Sequence, residues 1–275
     1  MRHPAGGAGM TDAQVTVVPR GTIRMDRNFQ QEAHTIARRS DPNPDLEFVE
    51  SPIYNLVIDH PEATILWDTG AHPAAGEGHW PSGLFVAYRV EYPEEYHLDA
   101  DLERAGYGVE EMDCVVQTHL HMDHAGGLEQ FAGTDVPVYV HEEELKYAYV
   151  SATTREGSAG YVLGDFHHDV EWRLVHRHRE TPFEDVELLH LPGHTPGMLG
   201  TLLHLDGGTL LFTSDLADVA ANYRKEWPMG PGLIWNRQKW LESLRTAKEL
   251  ERRHDAEVVY GHDHEQFEEI REGWP

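Results

Sequence analysis

The chain has 275 residues, enough for one large domain with a substantial core. Its 48 acidic residues outnumber 22 basic ones, for a formal net charge of −26, and only Lys146, Lys225, Lys239 and Lys248 are lysines. A field of that sign repels nucleic acid and anionic membranes, which argues against chemistry on polyanions.

Residues 1–10, Met-Arg-His-Pro-Ala-Gly-Gly-Ala-Gly-Met, read as a disordered extension, with Met10 an alternative start, and residues 11–275 as a single domain without a dividing linker. Gln14 to Pro19, Tyr54 to Asp59 and Ala63 to Trp67 carry clustered or alternating β-branched residues and predict strands. Residues 72–97 hold Trp80, Leu84, Phe85 and Tyr88 among glycine, proline and acidic residues, and predict a functional loop. Leu102 to Ala105 and Glu142 to Tyr149 predict helices, and residues 151–168 a second such loop that ends in His167-His168. His176 and His178 alternate on a predicted strand. Trp240, Leu241, Leu244, Ala247 and Leu250 recur at helical spacing, so Arg237 to Arg253 is an amphipathic helix whose stripe belongs to the core. This order fits an α/β sandwich of two mixed sheets with helices on both sides.

Other bounds are simple. Cys114, the single cysteine, reads as a core thiol and excludes an intramolecular disulfide framework. No stretch has the length of a membrane span and no apolar leader opens the chain, so a cytoplasmic location is expected. The acidic, lysine-poor surface has the character found in salt-accumulating organisms, where ionic strength screens self-repulsion; a merely acidic mesophilic enzyme is the plainer alternative.

The densest chemistry is Thr118-His-Leu-His-Met-Asp-His124, directly after the apolar run Asp113 to Thr118. His119, His121, Asp123 and His124 are poor strand and core residues, and burying an unpaired carboxylate costs several kcal/mol. Imidazole and carboxylate together suit zinc and other first-row divalent metals. Four ligands packed into six positions are too dense to share one tetrahedral ion, because tight chain geometry keeps neighbouring side chains from reaching the same ion, which points to two.

Three further segments repeat the layout of an apolar run that ends in a metal-binding residue. Val186 to Leu191 leads to Pro-Gly-His194, Gly208 to Thr213 leads to Ser-Asp215, and Glu257 to Tyr260 leads to Gly-His262. Open sheets gather their sites at the carboxyl ends of strands, where loops converge on one crevice.

His119-x-His121-x-Asp123-His124 followed by His194, Asp215 and His262, with Ile65-Leu-Trp-Asp68-Thr-Gly70 before it, resembles the metal-site pattern of the metallo-β-lactamase superfamily. The likeness runs from about residue 14 to 270. Within that superfamily, His119 to Gly127, Pro192 to Gly197 and especially Tyr260-Gly-His-Asp-His-Glu-Gln266 are most similar to N-acyl homoserine lactone lactonases. The resemblance implies the αββα metallo-β-lactamase fold and a ligand set of His119, His121 and His194 for one ion. It implies Asp123, His124 and His262 for the other, and Asp215 as the bridge. Zinc is the default metal, with manganese, cobalt or iron also compatible. It further implies that a water between the ions loses its proton and attacks a lactone carbonyl, with Asp123 and Asp215 as the catalytic carboxylates and Asp123 shuttling a proton to the leaving alkoxide. Asp68 would orient the histidine loop, or be a turn residue before Gly70. No Gly-x-Ser-x-Gly nucleophile motif competes. The expected partner is a small lactone, with no nucleic acid or membrane and with a homodimer left open.

One position departs from the pattern. Lactonases of this kind often carry a tyrosine three residues after the bridging aspartate, and here Asp218 stands there, expected as a solvated surface carboxylate or as a charge near the ions. A glyoxalase II-like thioester hydrolase is the alternative, although no basic cluster is evident to hold glutathione carboxylates. An iron-dependent redox relative is the third reading.

Overall fold

In the computed structural model, residues 11–274 are described; the expected disordered extension lies outside them. Twelve strands are present among them: β1 Gln14–Asp26, β2 Phe48–His60, β3 Ala63–Trp67, β4 Tyr88–Glu91, β5 Cys114–Val116, β6 Pro137–His141, β7 Glu171–Val175, β8 Arg179–Phe183, β9 Val186–His190, β10 Leu199–Leu205, β11 Gly208–Phe212 and β12 Glu257–Val259. The helices are α1 Arg27–Gln30, α2 Ser82–Ala87, α3 Leu98–Ala105, α4 Glu142–Thr154, α5 Leu163–Phe166, α6 Ala220–Arg224, α7 Arg237–His254 and α8 His264–Ile270. None is long and apolar enough to cross a membrane.

The strands form two mixed sheets, ordered β4-β1-β2-β3-β5-β6-β7 and β12-β11-β10-β9-β8. In the first, β1 to β3 pair antiparallel, whereas β3, β5, β6 and β7 run parallel. In the second, only β11 and β12 run parallel. Leu56, Ile65 and Val116 from one inner face meet Leu188, Leu203 and Phe212 from the other, closing a dry central core. Residues 51–58 of β2 are buried on both faces, which is why its apolar residues cluster as Ile53-Tyr54 and Leu56-Val57-Ile58 rather than alternate.

Helices cover both outer faces, completing the αββα order. Leu102 of α3 and Ala148 of α4 pack on Val57, Leu66 and Val115. Trp240, Leu244, Ala247 and Leu250 of α7 pack on Leu189, Leu202, Leu211 and Val258. Asn236 caps α7 by accepting from the Lys239 amide at 3.0 Å, and Asp255 ends it in the left-handed region at φ 49°. Cys114 is a buried core thiol.

Three expectations need correction. The segment 72–97 is more than a loop: α2 lies within it, and β4 extends the first sheet by pairing with β1 in the register Met25 to Tyr88. Local composition conceals this because the pairing spans some sixty residues. Residues 151–168 include the end of α4 and all of α5. His176 and His178 lie in the exposed connection between β7 and β8, where the chain passes from one sheet to the other, rather than on a strand.

Candidate metal centre

The four anticipated segments deliver their side chains to one crevice. β5 ends before His119, β9 leads to His194, β11 to Asp215 and β12 to His262, so each residue follows the carboxyl end of a strand. All seven candidate residues are gathered there. Ligand atoms of His119, His121 and His194 lie within 4.8 Å of one another, as do those of His119, His124 and Asp215, and those of Asp123, His124 and His262.

Asp215 stands between the halves. Its Oδ2 is 3.4 Å from His194 Nε2 and 3.7 Å from His119 Nε2. Its Oδ1 is 3.4 Å from both His124 Nε2 and His262 Nε2. Gly261 permits this approach, since a Cβ there would lie 2.7 Å from Asp215 Oδ1.

An acceptor behind each ring sets which nitrogen faces the crevice. His194 Nδ1 donates to the Leu233 carbonyl at 2.7 Å and His262 Nδ1 to the Pro52 carbonyl at 2.8 Å. His124 Nδ1 donates to Asp68 Oδ2 at 2.8 Å. Each leaves Nε2 as a lone pair pointing inward, the arrangement that fixes metal-binding histidines. Asp68, held at φ 58°, also accepts from the Thr118 amide and hydroxyl and from Gln117 Nε2. It therefore orients the histidine loop and is no mere turn residue.

The donor set fits cations. His194 Nε2 faces His121 Nδ1 at 2.8 Å and His119 Nε2 at 3.2 Å, and one N–H cannot satisfy that many inward nitrogens. His124 Nε2 and Asp215 Oδ1 are buried without a hydrogen-bond partner among the described residues. Such atoms are costly unless an ion engages them.

Electrostatics differ between the two halves. Burial, with the neighbouring imidazoles, holds His119 and His121 well below the ordinary histidine range and lowers His194. Burial opposes charge on His124 and His262 as well, but Asp215 and Asp123 outweigh it, lifting His124 well above its usual value and His262 to about 9. The surrounding histidines keep Asp215 well below the carboxylate range despite its burial.

A cavity of about 250 Å³ opens over the cluster, lined by Met25, Leu84, Tyr88, Met122 and Leu233 beside the polar residues. Asp218 lines it too and is only 1% exposed, which overturns the expectation of a solvated surface carboxylate. Burial first, then the charge of Asp215, raises its carboxyl well above the usual range.

One supporting residue was not singled out from the sequence. Glu144, fully buried in α4, accepts from the Leu120 amide at 3.0 Å and the Gly197 amide at 3.2 Å, tying both histidine loops to one helix. Its signal was weak, a third glutamate in an acidic first turn. Tyr88, expected in a functional segment, does line the cavity, but from β4, a strand that local pattern does not announce.

The metallo-beta-lactamase superfamily profile matches residues 50–262. The chain belongs to the metallo-beta-lactamase superfamily. N-acyl homoserine lactonase AiiB of Agrobacterium fabrum is 29% identical over 266 residues, covering 91% of this chain and 94% of that protein. An N-acyl homoserine lactonase of a Bacillus species is 28% identical over 262 residues, with 94% and 96% covered. The fold matches a solved N-acyl homoserine lactone hydrolase with N-hexanoyl-L-homoserine at its catalytic metal centre, at a TM-score of 0.79, 24% identity, and 94% and 96% coverage. The likeness to lactonases thus spans nearly the whole chain.

Proposed function

We propose that this enzyme opens lactone rings, N-acyl homoserine lactones foremost, at a site for two divalent ions, with zinc as the assigned metal. The observation that carries the reading is Asp215, whose two oxygens face the His119–His194 side and the His124–His262 side at 3.4 to 3.7 Å. His119, His121 and His194 would hold one ion, Asp123, His124 and His262 the other, and Asp215 both. The named activity of the relatives supports the same substrate class.

When bound, two such ions supply a water that is deprotonated near neutral pH and draw electrons from a carbonyl. The chain does the rest. Asp215 and the five histidines fix the spacing of the charges, and Asp68 keeps His124 turned inward. Met25, Leu84 and Leu233 line the cavity and suit the methylene carbons of the ring. Water oxygen adds to the carbonyl carbon, the ring C–O bond breaks, and the ring oxygen takes a proton to give a hydroxy acid. Asp123 lines the cavity with Oδ2 3.7 Å from His262 Nε2, within reach of both cluster and substrate, and would pass that proton. No lysine or arginine is among the residues lining this cavity, and the adjoining one carries a single arginine, Arg155, so neither presents a basic cluster for glutathione carboxylates.

The test is acid release by purified, metal-quantified protein in high salt. Substrates would be N-acyl homoserine lactones of several lengths and S-lactoylglutathione. Fast turnover of the lactones supports the reading; turnover of the thioester alone would move the enzyme to the glyoxalase-like branch.

A further inference from the structure

Two polar groups in the cavity are left without protein partners, and they face it from different walls. Tyr88 rises from the sheet edge, its position set by β4 pairing with β1 and by its ring against Phe29 at 4.9 Å between centroids. Its hydroxyl makes no hydrogen bond to a described residue and points toward Gly232, where a Cβ would sit 3.6 Å from it. Asp218 approaches from the turn after β11. Its backbone is pinned by the His262 amide, which donates to the Asp218 carbonyl at 2.8 Å, and its Oδ1 is buried without a partner. The two side chains do not bond each other, yet the charge of Asp218 is felt at Tyr88 and, after burial, helps hold the phenol above its ordinary value. Tyr88 is therefore a donor at any pH the enzyme meets, and a carboxyl oxygen accepts in either protonation state.

The location narrows what would lie between them. A second cavity of about 760 Å³ shares Leu84, Tyr88, Gly157, Ser158 and Ala159 with the first and continues along Ala87, Val162 and Leu163. Tyr88 stands at the neck between an acidic, histidine-rich chamber, which Asp218 also lines, and a larger, mostly apolar one that also carries His79 and Arg155. A substrate that spans both has a reacting head, an apolar tail and a joint at the neck. A trans secondary amide presents its C=O and its N–H on opposite edges, one acceptor and one donor.

We infer that Tyr88 and Asp218 form an amide-reading pair at this neck, Tyr88 donating to the substrate's amide carbonyl and Asp218 accepting its N–H. This rests on the lactonase reading and deepens it: the preferred substrates are lactones that carry an N-acyl amide, and the pair sets that preference. Buried polar groups left unpaired by an amide-free substrate penalise it, which is how such sites discriminate.

The experiment compares kcat/KM for N-hexanoyl homoserine lactone with that for the amide-free γ-decalactone in wild type, Tyr88→Phe, Asp218→Leu and Asp218→Asn, with bound metal measured for each. The ratio of the two substrates should fall about tenfold in Tyr88→Phe and Asp218→Leu, mostly through KM, the loss of one neutral hydrogen bond. Asp218→Asn, which keeps an acceptor oxygen, should recover most of the ratio. Inhibition by the product N-hexanoyl homoserine should weaken in parallel. Equal losses on both lactones, or a ratio unchanged in Tyr88→Phe, would overturn the pair while leaving the lactonase reading intact. A wild-type enzyme that opens neither lactone would overturn the lactonase reading and the pair with it.

Discussion

His124 and Asp68 are joined through Nδ1 and Oδ2 at 2.8 Å, both nearly fully buried, so the inward direction of His124 Nε2 depends on a residue from a different strand end. Asp68 follows β3 and His124 follows β5, and those neighbouring parallel strands bring them together. Removing the acceptor frees the ring to rotate and withdraws electron density from it. Asp68→Ala should weaken metal binding about 10- to 100-fold, as loss of an outer partner typically does. Competition with a chelator measures this; an unchanged affinity would refute the role.

His121 gives a sharper test of the cluster. Its Nδ1 faces His194 Nε2 at 2.8 Å and its Nε2 meets Ser158 Oγ at 3.1 Å, so it belongs to one half only. His121→Ala should lose bound metal and lactone turnover together. Elemental analysis alongside kinetics checks it. Two ions per chain with full turnover would mean the ligand assignment is wrong.

How much of this was legible in the sequence follows from how local each signal is. His119 to His124 stood out because nothing in strand or core formation calls for three histidines and an aspartate in six positions. His194, Asp215 and His262 were readable as a set, since each ends an apolar run that becomes β9, β11 or β12. Asp218 was misjudged because an acidic residue near a strand end usually meets water, whereas here it lines a crevice shared with Tyr88 and His262, both distant in sequence. Tyr88 was seen only as one aromatic in a loop, because β4 exists through pairing with β1 rather than through its own pattern. Glu144 was hidden similarly, its partners Leu120 and Gly197 lying 24 and 53 residues away.

Stability should carry a pH signature away from the metal site. His141 caps α4 by accepting from the Glu143 amide through Nδ1 at 3.2 Å, and its ring stacks on His190 at 3.7 Å. Burial, with His190 and His178, lowers His141 to about 3, while Glu142 opposes this weakly. The unfolded chain therefore binds a proton near pH 6.5 that the folded chain refuses until about 3. Stability is fully present above 6.5 and declines as pH falls through that window. The urea midpoint of His141→Asn, which retains a cap, should fall less steeply over the same range than that of wild type.

Packing beneath the site is testable through Trp240. Fully buried on α7, it also donates from Nε1 to the Leu216 carbonyl at 2.7 Å, one residue after Asp215. Trp240→Ala should cost about 3–5 kcal/mol in urea unfolding. Because it loosens the turn that carries Asp215, it should also lower metal affinity. A stability loss with metal affinity unchanged would show that the turn is held by other contacts.

The proposed mechanism requires two ions acting together through Asp215. The most direct measurement is a zinc titration of chelator-stripped enzyme, following ring opening of N-hexanoyl homoserine lactone and bound metal at each step. Activity should stay low through the first equivalent, rise with the second and level off at two ions per chain. Full activity at one equivalent, or in the stripped enzyme, would contradict it.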